Sequence, residues 1–256
     1  MKQRISAQEI LQKYGVTSPD EIDLEAIAYC ENAKVRYQNI EGSEARLMGI
    51  GNRAIITIDS KSDHNRQRFS LAHELGHWIG DRGTVGKLCK REVIGPNQSN
   101  TKINWTEVAA NKFASELLMP LFLFKESSLR EPINFETVDS LKIEYQTSLM
   151  ATALRLIDTD NYPCALAFSI SKQIKWMKKS NSIPDSFRYR SSVGEHSLAA
   201  NLESGMKTGN VLSSEWFSVP GVDGEDYFIL ESSTVYRNGI LTLLWWEDES
   251  QILNFI

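Results

Sequence analysis

Cysteine and histidine are scarce in this 256-residue chain, which has three of the first (Cys30, Cys89 and Cys164) and four of the second. Three scattered thiols cannot build a disulfide framework, so the small cross-linked secreted classes are excluded. Long apolar runs are missing too. No stretch approaches the roughly 18 residues that a membrane span requires. The opening residues, MKQRISAQEI, lack the apolar core of a secretory signal. These absences predict a cytoplasmic protein with reduced thiols and no membrane partner. Nor does positive charge dominate: 28 Lys and Arg against 33 Asp and Glu leave a net −5, so no global field draws the chain to nucleic acid. With 41% hydrophobic and 24% charged residues, disordered and collagen-like classes drop out.

What is present reads as two textures. At roughly 100–200 residues per domain, the length allows one large domain or two modest ones. Residues 1–35 read as helical, with Asp23 able to cap a helix that carries Leu24, Ile27 and Ala28 on one face. Three β-like stretches follow at Val35–Gln38, Arg46–Ile50 and Ala54–Ile58. Helical patterning returns from Asn65 to Ile79, and again from Asn104 to Met119 ahead of Pro120. The glycine-rich residues 80–103 between these helices read as a long loop. After Asn161-Tyr162-Pro163 the pattern changes to short β-like runs separated by turn signals such as Asn238-Gly239. The expected organisation is a mainly helical domain over 1–160 and a β-richer domain over 161–256.

Half of the histidines sit in one motif, His73-Glu74-Leu75-Gly76-His77. Two histidines four apart on a helix share a face, so both imidazoles can meet one Zn²⁺. Glu74 projects beside them, placed to take up and return a proton. Chance would give roughly 0.005 such matches in a chain of this composition. Gly83 stands where a longer motif would carry a third histidine, which leaves a glutamate from a following helix as the common alternative. Glu107, early in the 104–119 helix, is such a residue. Asn111 lies one turn on, able to accept the free N–H of a ligand imidazole. Asn104 and Glu107 also have the spacing of a capping box, and the two roles are compatible in part. His64 and His196 have no motif around them.

The run Arg68-Phe69-Ser70-Leu71-Ala72-His73-Glu74-Leu75-Gly76-His77-Trp78, followed by Glu107-x-x-x-Asn111-x-Phe113-Ala114-x-Glu116-Leu117-Leu118-Met119-Pro120, resembles the ImmA/IrrE family of zinc metallo-endopeptidases. The similar segment covers about residues 20–120. The resemblance implies Zn²⁺ on His73, His77 and Glu107, with Glu74 as general base. Asn111 stands where many relatives have aspartate, so it orients a ligand without adding charge. The implied fold is α+β, a gluzincin-like helical core with a small antiparallel sheet, followed by a C-terminal β-rich GAF-like domain. The implied substrate is a helix-turn-helix repressor whose cleavage derepresses stress or phage-defence genes.

Cys89 falls twelve residues beyond His77, among Lys87, Lys90 and Arg91, which favour its thiolate. A thiolate in the open zinc position would hold the enzyme off, as in the phage-defence (CapP-like) branch that the sequence resembles. The competing reading is a free cysteine acting as a small hydrophobe. The strand Ala54–Ile58, directly before the motif helix, is expected to edge the cleft and accept an extended peptide, unless it is an ordinary core strand.

The overall −5 conceals an uneven distribution. Lys172, Lys175, Lys178, Lys179, Arg188 and Arg190 face only Asp185 between 172 and 190, which is 6 − 1 = +5, with Trp176, Phe187 and Tyr189 interleaved. From 191 to 256, two basic against ten acidic residues give 2 − 10 = −8. Cations with aromatic faces suit single-stranded DNA, which would make the second domain a sensor that activates the first. A solvated surface run is the plainer reading. Against the endopeptidase stands a non-proteolytic regulator of the same fold that binds DNA or a partner protein, with zinc structural.

Overall fold

The computed structural model describes residues 5–80, 105–218 and 227–253, with residues 87–90 and Leu253 described by backbone alone. The chain forms two compact units, one of residues 1–123 with 142–148, the other of 124–141 with 149–256. Both mix helix and sheet, which makes the protein α+β. Among the described residues no helix is long and apolar enough to cross a membrane.

The first unit begins with α1 (Ala7–Lys13) and α2 (Leu24–Cys30). Ser6 and Glu9 form a capping box on α1, while Asp23 accepts the amides of Glu25 and Ala26 to cap α2. Each such cap is worth about 1 kcal/mol. A sheet follows from β1 (Ala33–Gln38), β2 (Ser43–Ile50), β3 (Arg53–Asp59) and β4 (Lys87–Lys90), in the order β1-β3-β2-β4. Between β3 and β4 runs the long helix α3 (His64–Gly80), opened by Asp63, whose Oδ1 accepts the Arg66 amide at 3.0 Å. The helix α4 (Trp105–Leu118) packs across α3. Residues alternate along the strands: Ala45 and Leu47 of β2, and Ala54, Ile56 and Ile58 of β3, are buried towards α3.

The sheet corrects two expectations. It is mixed rather than antiparallel, because β1 runs parallel to β3 while β2 and β4 pair antiparallel to their neighbours. The second correction concerns Ala54–Ile58. β3 lies between β1 and β2, so its backbone hydrogen bonds are spent on both sides and no peptide can add to it. Edge positions belong to β1 and β4.

The second unit holds helices α5 (Leu121–Ser127), α6 (Phe135–Tyr145) and α7 (Leu149–Thr159) in whole or in part. The strands are β5 (Cys164–Ile170), β6 (Gln173–Lys179), β7 (Arg188–Tyr189), β8 (Met206–Leu212), β9 (Phe217–Ser218), β10 (Phe228–Tyr236) and β11 (Gly239–Trp245). A short α8 (Ser250–Leu253) ends the described chain. Five strands make an antiparallel sheet, β6-β5-β11-β10-β8; β7 and β9 pair separately. One sheet face packs on a core that includes Phe187, Trp216, Phe217 and Trp246. A fully buried carboxylate, Glu231, accepts four hydrogen bonds there, from the amides of Leu198 and Ala199, the Trp216 indole and the Ser233 hydroxyl. Those bonds tie the 197–201 turn and Trp216 to the sheet.

Candidate metal centre

The first unit brings three metal-binding side chains together. His73 and His77 lie one turn apart on α3, and Glu107 enters from the first turn of α4. The three groups form a tight triangle: His73 Nε2 to His77 Nε2 is 3.1 Å, Glu107 Oε2 lies 3.2 Å from the first nitrogen, and Glu107 Oε1 lies 3.2 Å from the second. Four donors at about 2.0–2.1 Å around a tetrahedral ion stand roughly 3.3 Å apart. These spacings match one face of a zinc-sized tetrahedron, and the described residues supply three of its four corners. Among the described residues it is the one group of three or more such side chains gathered closely enough to hold a metal.

Packing explains why the triangle forms. Glu31 anchors the far side of α3: its backbone oxygen accepts the Trp78 indole at 2.7 Å, and its buried carboxylate accepts Lys13 Nζ and Tyr14 Oη, each at 2.6 Å. The start of α3 is fixed too, with His64 Nε2 donating to Gln146 Oε1 and Asn65 Nδ2 to the Thr147 carbonyl. Gly76, inside the motif itself, sets the distance between the helices. A Cβ added there would meet Phe113 Cδ1 at 3.1 Å and Ala110 Cα at 3.2 Å. That close approach lets Glu107, one turn before Ala110, reach both imidazoles.

Asn111 completes the set. Its Oδ1 accepts the His73 Nδ1–H at 2.9 Å, which leaves the Nε2 lone pair of His73 facing the triangle. Glu74 is wholly buried on α3 next to His73. His77 is buried as well, whereas the Glu107 side chain is partly exposed.

Other residues singled out from the sequence lie elsewhere. Cys89 belongs to β4 by its backbone, paired with Ala45, but its side chain lies outside the described residues, as does Asn104. His196 is exposed in the second unit, and its amide donates to Glu215. The basic run separates into cations engaged within the fold and cations exposed at the surface. Lys178 pairs with Asp158 at 2.5 Å. Lys179 Nζ donates to the carbonyls of Pro184 and Phe187, and desolvation lowers its pKa. Arg190 donates to the Ser214 carbonyl. Lys172, Lys175 and Arg188 are exposed, and Trp176 stacks on Phe168 with ring centroids 6.1 Å apart. Phe187 is fully buried, so it cannot stack on a base.

Sequence reasoning passed over Gly76 as a spacer and the outer face of the first sheet. The period-two pattern of Arg46-x-Met48-x-Ile50 and Arg53-x-Ile55-x-Thr57 was the signal for the latter.

Comparison with known proteins bears on the fold and the family. A solved structure of a Mycobacterium tuberculosis transcriptional regulator superposes with a TM-score of 0.59, covering 96% of this chain and 76% of that one at 11% identity. At that identity the likeness is one of fold. No curated protein matches the chain in sequence. The peptidase M78 family model, described as the IrrE N-terminal-like domain, matches residues 29–156, a span that contains α3, α4 and the whole triangle. The chain therefore belongs to the peptidase M78 family of IrrE N-terminal-like proteins.

Proposed function

We propose that the protein is a regulated zinc-dependent endopeptidase that cleaves a helix-turn-helix transcriptional repressor. The observation that carries this reading is the triangle of His73, His77 and Glu107 with Glu74 on the same helix. A structural metal site closes all its positions with protein ligands, whereas the described residues supply three here, with a non-ligand carboxylate, Glu74, next to His73 in sequence. Zn²⁺ held by the three residues would supply Lewis acidity to a peptide carbonyl and its attacking water. Glu74 takes a proton from that water at a carboxylate oxygen and delivers it to the leaving amine. Its burial shields the carboxylate from bulk water. Asn111 holds His73 in the tautomer that can ligate.

Regulation belongs to the same proposal. Cys89, on the strand beside β2, is the candidate inhibitory fourth ligand, and Cys89→Ser should then raise basal proteolysis. The β-rich second unit is the candidate GAF-like sensor, a reading supported by its five-stranded antiparallel sheet and associated helices. Single-stranded DNA as its activator would have to be met by Lys172, Lys175, Arg188 and Trp176, because Lys178, Lys179 and Arg190 are engaged within the fold.

The deciding experiment is co-expression with the repressor encoded beside the gene. Wild type should cleave it. Glu74→Gln should keep its metal and lose cleavage. If no condition yields a cut repressor, the non-proteolytic regulator is the better reading.

A further inference from the structure

The outer face of the first sheet carries charge and apolar surface that the metal centre does not use. Strand alternation sends Ala33, Leu47, Ile56 and Ile58 inward, and the residues between them outward. In register across β1, β3 and β2, Lys34, Ile55 and Met48 form one row, and Arg36, Thr57 and Arg46 the next. Arg53 and Ile50 pair in the row before them. Ile50 is 80% exposed and Met48 56% exposed. Ile55 lies between Met48 and Lys34, so the three apolar side chains are contiguous. Four cations, Lys34, Arg36, Arg46 and Arg53, surround them, and all four are exposed.

No acid on these strands neutralises that rim. Asp59 is buried, and its Oδ1 accepts the amides of Ile40 and Lys61. Glu44 sits where the β2–β4 register shifts and binds Arg66 of α3. Among the described residues none of the four cations has an acidic partner. Two exposed aliphatic side chains and a half-buried third, within a rim of arginine and lysine, match the anatomy of a protein-binding patch: apolar centre, charged border. A nucleic-acid platform would need aromatic faces for bases, and these outer positions supply none.

Dimensions narrow the occupant. Strands about 4.8 Å apart make the three-strand face about 10 Å wide. That is the diameter of one α-helix with its side chains, roughly 10–12 Å. From Arg53 to Thr57 the face runs about 13 Å, which about nine helical residues would cover. We infer that the outer face of β1, β3 and β2 docks an acidic amphipathic helix of a partner protein, with its apolar stripe on Met48, Ile50 and Ile55 and its carboxylates on Lys34, Arg36, Arg46 and Arg53. This surface lies on the side of the sheet opposite α3, away from the His73, His77 and Glu107 cluster. The inference does not depend on proteolysis.

The test uses the full-length Glu74→Gln chain and a fluorescent peptide of about 18 residues, long enough to be helical, in which glutamates flank a leucine stripe. A second peptide replaces every glutamate by lysine. The acidic peptide should bind, more weakly as salt rises, and the lysine peptide should not. Arg36→Glu with Arg46→Glu should weaken binding at least tenfold, as should Met48→Ser with Ile50→Ser. All four positions are exposed, and circular dichroism verifies the fold of each variant. Equal binding of the two peptides, no binding, or unchanged affinity in either double variant overturns the inference. So does displacement of the peptide by a single-stranded oligonucleotide whose own affinity falls only with the charge reversals, which would assign the face to nucleic acid.

Discussion

Gly76 of α3 packs tightly against Phe113 of α4: a Cβ added to it would stand 3.1 Å from Phe113 Cδ1, so the neighbour would have to give by a few tenths of an ångström. In an isolated helix alanine would be favoured over glycine by about 1 kcal/mol. Here the sign reverses, because Ala110 Cα, a backbone atom, lies 3.2 Å from the same point and cannot rotate away. Overpacking of this kind costs about 1–3 kcal/mol. Gly76→Ala should push α4 outward and carry Glu107 from the two imidazoles. The expected outcome is weaker metal affinity with a modest fall in Tm, measured by chelator competition and thermal unfolding. Wild-type affinity in the variant would show that the crossing does not set the triangle.

Asn111 provides a second handle on the same site. Removing a hydrogen-bond partner of a ligating imidazole typically lowers metal affinity about 10–100-fold. Asn111→Leu should show that loss, because the His73 Nδ1–H then loses its 2.9 Å acceptor. Asn111→Asp should bind metal more tightly than wild type, since a carboxylate makes the imidazole more basic. An aspartate variant no tighter than wild type would mean that Asn111 acts through geometry alone.

The metal triangle was legible because its parts obey short-range rules. Positions i and i+4 share a helical face wherever α3 packs, so His73 and His77 needed no tertiary information. The parallel pairing of β1 with β3 was hidden, since a local reading sees the tight β2–β3 connection at Gly51 (φ 60°) but not the strand inserted on its other side. The basic run misled for a different reason. Composition treats Lys172 to Arg190 as one surface, whereas the fold uses Lys179 to hold the 184–187 carbonyls and buries Phe187 among Phe217 and Trp246. A register shift in the β5–β6 pair at Phe168/Ser169 further broke the alternation that would have separated exposed from internal lysines.

Lys179 and Lys175 should accordingly behave differently although they are four residues apart. Lys179→Met removes two hydrogen bonds from a partly buried ammonium and leaves two carbonyls to find other donors. The expected cost is about 1–3 kcal/mol in denaturant unfolding. Lys175→Glu, at an exposed position, should stay within about 0.5 kcal/mol of wild type. Similar stabilities for the two variants would contradict the structural role of Lys179.

Glu231 gives the second unit a pH dependence. Burial raises its pKa above 4.5, opposed by its hydrogen bonds from Trp216, Ser233, Ala199 and Leu198. On protonation the new O–H can turn to Ser233 Oγ, which then donates to Thr242 Oγ1, 2.8 Å away. In the unfolded chain the carboxyl titrates near 4.5. Between that pH and the raised folded value, the native state holds a proton that the unfolded state has released. The unfolded state binds fewer protons there, so stability falls as pH rises through the window and levels off above it. Glu231→Gln cannot titrate and should show no such slope. It should also be less stable at every pH, by about 1–3 kcal/mol, because its amide NH₂ meets N–H donors where an oxygen stood. Urea unfolding, followed by fluorescence that includes Trp216 and repeated from below pH 4.5 upward, reads both effects. A wild-type curve that climbs through this interval, or a glutamine variant with the same slope, would place the titration at another group.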